Sequence, residues 1–252
     1  MTPLIAIYQV TLRQLMGRSR MIGFALLALV PTGILTIAAR AGGIDEGGLD
    51  GVVATMLVAP LFAVLIPIVT LVIAGSALGD ERADKTLSFL VMRPVSRIGI
   101  AAAKTLSAAT VASVFGVIGV VGLTGAYAVL GGEAMITPAA IVGAVVACTA
   151  YSALFVLFGF MTSRSTLLGL IYVFLIENLL MNLLPRLTNL SPWRIGFSAM
   201  VDLFPAGFDD RSLGVALGGL EPSFAGALLK TLLIFVVTCG ALGMLLHRRD
   251  TV

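Results

Sequence analysis

Glu177, Asn178 and Asn182 stand inside one apolar run of the chain, and Lys230 stands inside another. A charged group at the centre of a bilayer costs several kcal/mol, so such residues face protein or a water-filled cavity, or give up their charge. Asn178 and Asn182 are four apart and share a helix face, while Glu177 is turned about 100° from Asn178. Two roles are open to these groups: interhelical hydrogen bonds that lock a bundle, or polar contacts and a proton-sensitive group along a pathway. Counted from Pro185 and Pro222 at about 1.5 Å per residue, Glu177 and Lys230 each lie about 12 Å inside the same boundary. They are therefore expected to approach each other, directly or through water. The rival is that Lys230 snorkels to the interface without a partner.

Other chemistry is poorly supplied. Cys148 and Cys239 both lie in apolar runs, which gives no disulfide framework and no CxxC metal pair. The single histidine, His247, sits beside Arg248 and Arg249, far from any second metal ligand of its kind. No nucleophile with a base and no acidic pair stands out, so no catalytic or metal-binding residue is assigned and an intramembrane enzyme is not expected. The basic residues form no aromatic-interleaved stripe or groove-entering motif, which sets nucleic acid aside.

The richest polar segment is Gly79 to Arg97, GDERADKTLSFLVMRPVSR. Asp84 or Thr86 is placed to begin a short helix, Leu87, Leu90 and Val91 form its apolar stripe, and Pro94 stops it. Such a helix either lies passively on lipid headgroups or docks its stripe into the groove of a soluble partner.

These residues need elements to hold them, and the composition says which kind. The chain has 252 residues, 59% of them hydrophobic and 12% charged, with a mean hydropathy of +1.08 and 28 glycines. Soluble domains carry about twice that charged fraction, so an integral membrane protein is expected. Six apolar runs, at about 21–39, 52–78, 105–130, 139–162, 167–184 and 224–246, are long enough for spanning helices and far too long for barrel strands. The expected fold is all-α: one transmembrane domain over 1–252, with six transmembrane helices. A helix over 1–20, with Leu4, Tyr8, Leu12, Leu15 and Met16 on one face, is expected to lie in the membrane interface as a retained start rather than a cleaved signal peptide. Pro31, Pro60 and Pro67 interrupt the first two spans and kink them. Gly116, Gly122, Gly125, Gly240 and Gly243 permit close helix packing.

With six spans, one side of the membrane holds eleven basic residues between spans and at the termini, among them Arg13, Arg82, Arg97, Lys104 and Arg164, and the other side holds four. That asymmetry places both termini in the cytoplasm. The outer segment over 185–222 is long for a loop and mixes Trp193, Phe197, Met200, Leu203, Phe204 and Phe208 with charges. Short helices in or dipping into the outer interface are expected there, either as an aromatic anchor or as part of an outer gate.

The pattern Glu81-x4-Thr86-Leu87-x2-Leu90-x3-Pro94-x-Ser96-Arg97, followed by Lys104, resembles the membrane permease subunits of ATP-binding-cassette (ABC) exporters of the type-2 class. The likeness extends to the interfacial start, the six spans, the long outer segment with its re-entrant helices, and the basic end Leu246-His-Arg-Arg-Asp250. It implies that a coupling loop over 79–100, with Glu81, Thr86, Leu87, Leu90, Pro94, Ser96 and Arg97, receives the motion of an ATPase. No G-x-x-x-x-G-K-[ST] loop is present; Lys104-Thr105 follows Ala103 where glycine is needed. The resemblance thus implies a separate ATP-binding subunit that holds the ATP and magnesium. It further implies a second permease copy, or a similar permease, completing the pathway in a cell inner membrane. The polar groups available favour an amphipathic or lipid-like cargo. A non-transport membrane scaffold or sensor is the alternative.

Overall fold

The computed structural model describes residues 3–43, 48–83, 95–162, 164–180, 190–205, 217 and 221–249, with the backbone alone at 18–20, 83, 178–180 and 248–249. Within them the chain is helical, without strands. Five helices are long and apolar enough to cross a membrane: Met21–Arg40, Leu49–Arg82, Arg97–Val129, Ile136–Met161 and Phe224–His247. The expected run at 167–184 appears as a shorter apolar helix, Ser165–Ile171 continued by Tyr172–Leu180. Its remaining residues, Asn182 among them, lie outside the described residues.

Prolines divide the first two spans. The first is built from α2 (Arg18–Ala28) and α3 (Val30–Arg40), broken at Leu29, with Pro31 in the first turn of α3 where its missing N–H costs nothing. The second passes from α4 (Leu49–Met56) through a π-wound stretch, Leu57–Leu65, into α5 (Ile66–Ala83). Pro60 lies inside the π stretch, where the wider winding absorbs its lost donor, and Pro67 opens α5.

The third span, α6 (Arg97–Val129), starts eight residues before its apolar run, because Ser96 caps it. The Ser96 Oγ accepts from the Gly99 N–H at 3.2 Å, which stabilises the end despite the charges that follow. Its neighbour α7 (Ile136–Met161) is the central helix, packed against α5, α6, α9 (Pro192–Leu203) and α10 (Phe224–Arg249). Between α7 and α9 runs α8 (Ser165–Ile171), which continues as the π-wound Tyr172–Leu180.

Glycines set the closest approaches. An added Cβ at Gly196 of α9 would overlap the Gly143 carbonyl of α7, and one at Gly143 would sit 2.7 Å from the Gly196 carbonyl oxygen. Gly159 of α7 meets the Gly75 backbone of α5 in the same way. Gly116 against Cys148, Gly122 against Leu29 and Thr32, and Gly243 against Ile98 pack closely as expected, whereas Gly125 and Gly240 face open space. These contacts follow the small-residue rule for helices in lipid, where apolar burial gives little drive for association.

The N-terminal helix, α1 (Pro3–Leu15), differs from its sequence-based picture. Its buried face is Ile7, Thr11 and Leu15, while Leu4 and Met16 are exposed. The face is rotated because α1 lies along α6: Ile7 packs with Ile100 and Ala103, and Ser107 Oγ donates to the Tyr8 carbonyl at 3.0 Å.

The bundle has two ends. One carries Arg82, Ser96, Met161 and His247, and is here the near end; the far end carries Arg40, Gly131, Phe204 and Phe224. At the far end Asp202 Oδ2 accepts from the Phe224 N–H at 2.8 Å and Ser198 Oγ from the Ser223 N–H at 3.0 Å. Carboxylate and hydroxyl of α9 thus cap the start of α10. Asp202→Ala is expected to fray the first turn of α10 and lower stability by up to about 1 kcal/mol, read by faster amide exchange at Phe224–Ala227.

Candidate functional site

Two clusters of polar side chains stand out in the otherwise apolar bundle. The first surrounds Glu177, which is 1% exposed. Tyr151 Oη of α7 donates to its Oε2 at 2.7 Å, and Ser191 Oγ donates to its Oε1 at 2.5 Å. The backbone amide of Trp193 also hydrogen-bonds to this carboxylate, and the charge of Arg194 acts on it. Arg194 is buried and lies 5.0 Å from the centre of the Trp193 ring.

This geometry is a helix cap built from another element. Ser191 is the N-cap residue of α9, yet its side chain makes no cap bond to its own helix, since its hydroxyl is given to Glu177. Pro192 needs no acceptor, and Trp193 finds one in the Glu177 carboxylate. The acceptor oxygens of the carboxyl group also face the positive end of the helix dipole. Tyr151 lies about 22 Å from the far start of α7 and about 15 Å from its near end, at 1.5 Å per residue. The start of α9 is therefore deep in the bundle, and the helix climbs past Gly143 to the far end.

That course corrects two expectations. Trp193, Phe197 and Met200 do not anchor an interface. They are 6%, 0% and 0% exposed, because α9 is enclosed by α7 and α10 and not laid on the surface. Phe208 lies outside the described residues. The cation that acts on Glu177 is Arg194, and the expected Lys230 is not among the groups that hold the carboxylate. Lys230 is partly buried on α10. Asn178 follows Glu177 on the π-wound stretch, and its side chain, like Asn182, is outside the described residues. Sequence reasoning missed Tyr151, Ser191 and Arg194. The available signal was the Ser191-Pro192 pair, a helix start inside a segment read as interfacial.

The second cluster lies at the near end. Lys104 of α6, 1% exposed, forms an ion pair with Glu81 of α5, 18% exposed. Next to it Arg82 Nη1 donates to the Phe160 carbonyl of α7 at 2.7 Å. The last turn of α5 is thus fastened to α6 on one side and α7 on the other. Of the expected coupling residues, Glu81 belongs to this cluster, Ser96 caps α6 and Arg97 is its first residue, while Thr86, Leu87, Leu90 and Pro94 lie outside the described residues. At the far end a cavity of about 220 Å³ is lined by Asp50, Tyr127, Glu133 and Phe204, with Tyr127 Oη donating to Asp50 Oδ1 at 2.7 Å.

Helices long and apolar enough to cross a membrane, packed around buried polar ties, describe a multi-pass membrane protein. Residues 16–185 match the family described as ABC-2 family transporter protein, so the chain belongs to that family. It is the membrane permease subunit of an ABC transporter, a transport subunit and not itself the ATPase, and its family generally implies an ABC ATPase partner. No curated protein matches the chain.

Proposed function

We propose that the chain is the pathway-forming permease of an ATP-driven exporter, joined to a separate ATP-binding subunit through the loop that leaves α5 after Ala83 and enters α6 at Arg97. The observation that carries this reading is the anchoring of the loop's base: Glu81 to Lys104 and Arg82 to the Phe160 carbonyl. A loop that only rested on headgroups has no need of buried ties to two spanning helices. In this reading the near end is cytoplasmic, as the basic residues require. The helix at Ser165–Leu180 belongs to the fifth of six spans in chain order, and α9 is a re-entrant helix behind it. Two copies, or one copy with a similar permease, enclose the pathway in the inner membrane.

Glu177 then has the role of a lock that fixes the re-entrant helix, a reading supported by its bonds to Ser191 and the Trp193 amide at the start of α9 and to Tyr151 of α7. Lys230, Asn178 and Asn182 remain the pathway candidates. An amphipathic or lipid-like cargo suits so apolar a bundle.

The test is purification from the native membrane in mild detergent. A Walker-motif ATPase is expected to co-purify with the wild-type chain, and at least tenfold less of it with a variant carrying Leu87→Asp and Leu90→Asp, which would place charge on the docking stripe. Folded protein without an ATPase in either sample, under conditions where known complexes survive, supports a scaffold or sensor instead.

A further inference from the structure

The first fourteen residues of α6 touch more elements than any loop contact requires. Lys104 pairs with Glu81 at the end of α5. Thr105 Oγ1 lies 3.8 Å from Cys239 Sγ of α10, and Ile98 lies against Gly243 of the same helix. Ser107 Oγ donates to the Tyr8 carbonyl of α1, and Thr110 Oγ1 is 3.0 Å from Tyr8 Oη. Ile100 and Ala103 complete a small apolar cluster with Ile7. This segment therefore binds α1, the end of α5 and the end of α10 into one body.

The contacts differ in kind. Those to α1 and α10 are apolar packing and single neutral hydrogen bonds. The contact to α5 adds to its apolar packing a buried ammonium against a carboxylate, the one charged tie among these contacts, and α5 is the element from which the segment at 84–94 departs. Charge-assisted bonds are the stronger and shorter class. Removing one partner of a buried pair strands the other charge, so the bond resists being pulled open. A displacement applied to the end of α5 therefore reaches α6 through Lys104, and from α6 it spreads to α1 and α10 by packing. Arg82, bound to a backbone carbonyl, makes the parallel tie to α7.

We propose that Lys104 is the positioning residue that makes the near ends of α5, α6, α1 and α10 move as a unit, and that its ion pair with Glu81 is the link by which displacement of the loop enters that unit. The proposal rests on the permease–ATPase reading above and assigns to Lys104 a mechanical task distinct from ATPase binding.

The experiment is amide hydrogen exchange on the intact permease–ATPase complex in lipid nanodiscs, with and without trapping by ATP and vanadate. In the wild type, trapping is expected to change exchange at 84–96, in the first four turns of α6 and in the last two turns of α10. In K104M the change at 84–96 persists, while the changes in α6 and α10 shrink at least threefold, with the ATPase still bound. K104R, which keeps the pair, restores them. E81Q, at the more exposed partner, reads the same bond should K104M fail to fold. A merely structural bridge would lower the unfolding temperature of K104M and E81Q and leave the spread of the change intact, and that result overturns the proposal. Loss of the spread in K104R as complete as in K104M overturns it as well. A wild-type complex in which trapping changes nothing, or a chain that carries no ATPase, overturns the permease–ATPase reading and the proposal with it.

Discussion

Glu177→Ala is expected to lower stability by about 3–5 kcal/mol, the range for breaking a buried charged network by removing one member. Three donors lose their acceptor at once: Tyr151 Oη, Ser191 Oγ and the Trp193 amide. Arg194, buried beside them, loses the charge that acts on it. Glu177→Gln keeps an acceptor and the shape, and should cost about 1–2 kcal/mol. Adding Arg194→Met to Glu177→Ala should recover part of the loss, because a lone buried charge is the most costly state. The chain has one tryptophan, and it is Trp193, on the helix that Glu177 caps. Thermal unfolding followed by Trp193 emission therefore reads stability and the seating of α9 together. In Glu177→Ala the emission should shift to the red and become quenchable by acrylamide below the unfolding transition. An unchanged midpoint and emission would refute the lock.

The second large effect is steric. Gly143 and Gly196 let the α7 and α9 backbones touch, with Ala147 and Met200 filling the flanks. Gly143→Leu places a branched side chain where the Gly196 carbonyl stands, and α9 has α10 on its other side. Overpacking of this kind costs about 1–3 kcal/mol, and more where the obstacle is backbone. A loss of about 3 kcal/mol or more is expected for Gly143→Leu. Gly125→Leu and Gly240→Leu, where an added Cβ meets nothing within 4 Å, should stay within about 0.5 kcal/mol of the parent. Thermal denaturation of the four proteins in one detergent checks the contrast, and equal losses in all of them would show that helix contact is not the cause.

Much of the bundle was legible from composition because lipid imposes a length and an apolar run on every spanning helix. The five long helices fall on five of the six runs. The start of α6 was not, because hydropathy loses a helix where Arg97 and Lys104 enter it, although Ser96 caps it there. Glu177 was recognisable as a residue needing partners, but not which ones. Counting residues gives depth along an axis and no azimuth, so Lys230 at matching depth looked like a neighbour while Arg194 entered the bundle on a helix that apolar counting assigned to the interface. For the same reason Trp193, Phe197 and Met200 leave an anchor and a gate both open: an aromatic-rich segment with charges looks alike whether it rests on the headgroups or is enclosed between α7 and α10. Pro60 was expected to kink its span, and the structure answers with π winding over Leu57–Leu65.

The length of α6 has a consequence for how the near end of the bundle stands in the membrane. Its 33 residues extend about 50 Å at 1.5 Å per residue, whereas the hydrocarbon layer is about 30 Å deep. Even a tilt of about 40°, the steep end of the usual range, takes up only about 39 Å, so about 10 Å of helix stands clear of the acyl chains. Arg97 and Lys104, the charged residues of α6, are both in its first eight residues, which assigns the surplus to that end. Whatever docks there meets a short pedestal of packed helices rising from the lipid, and pushes on a lever rather than on a loop spread over headgroups.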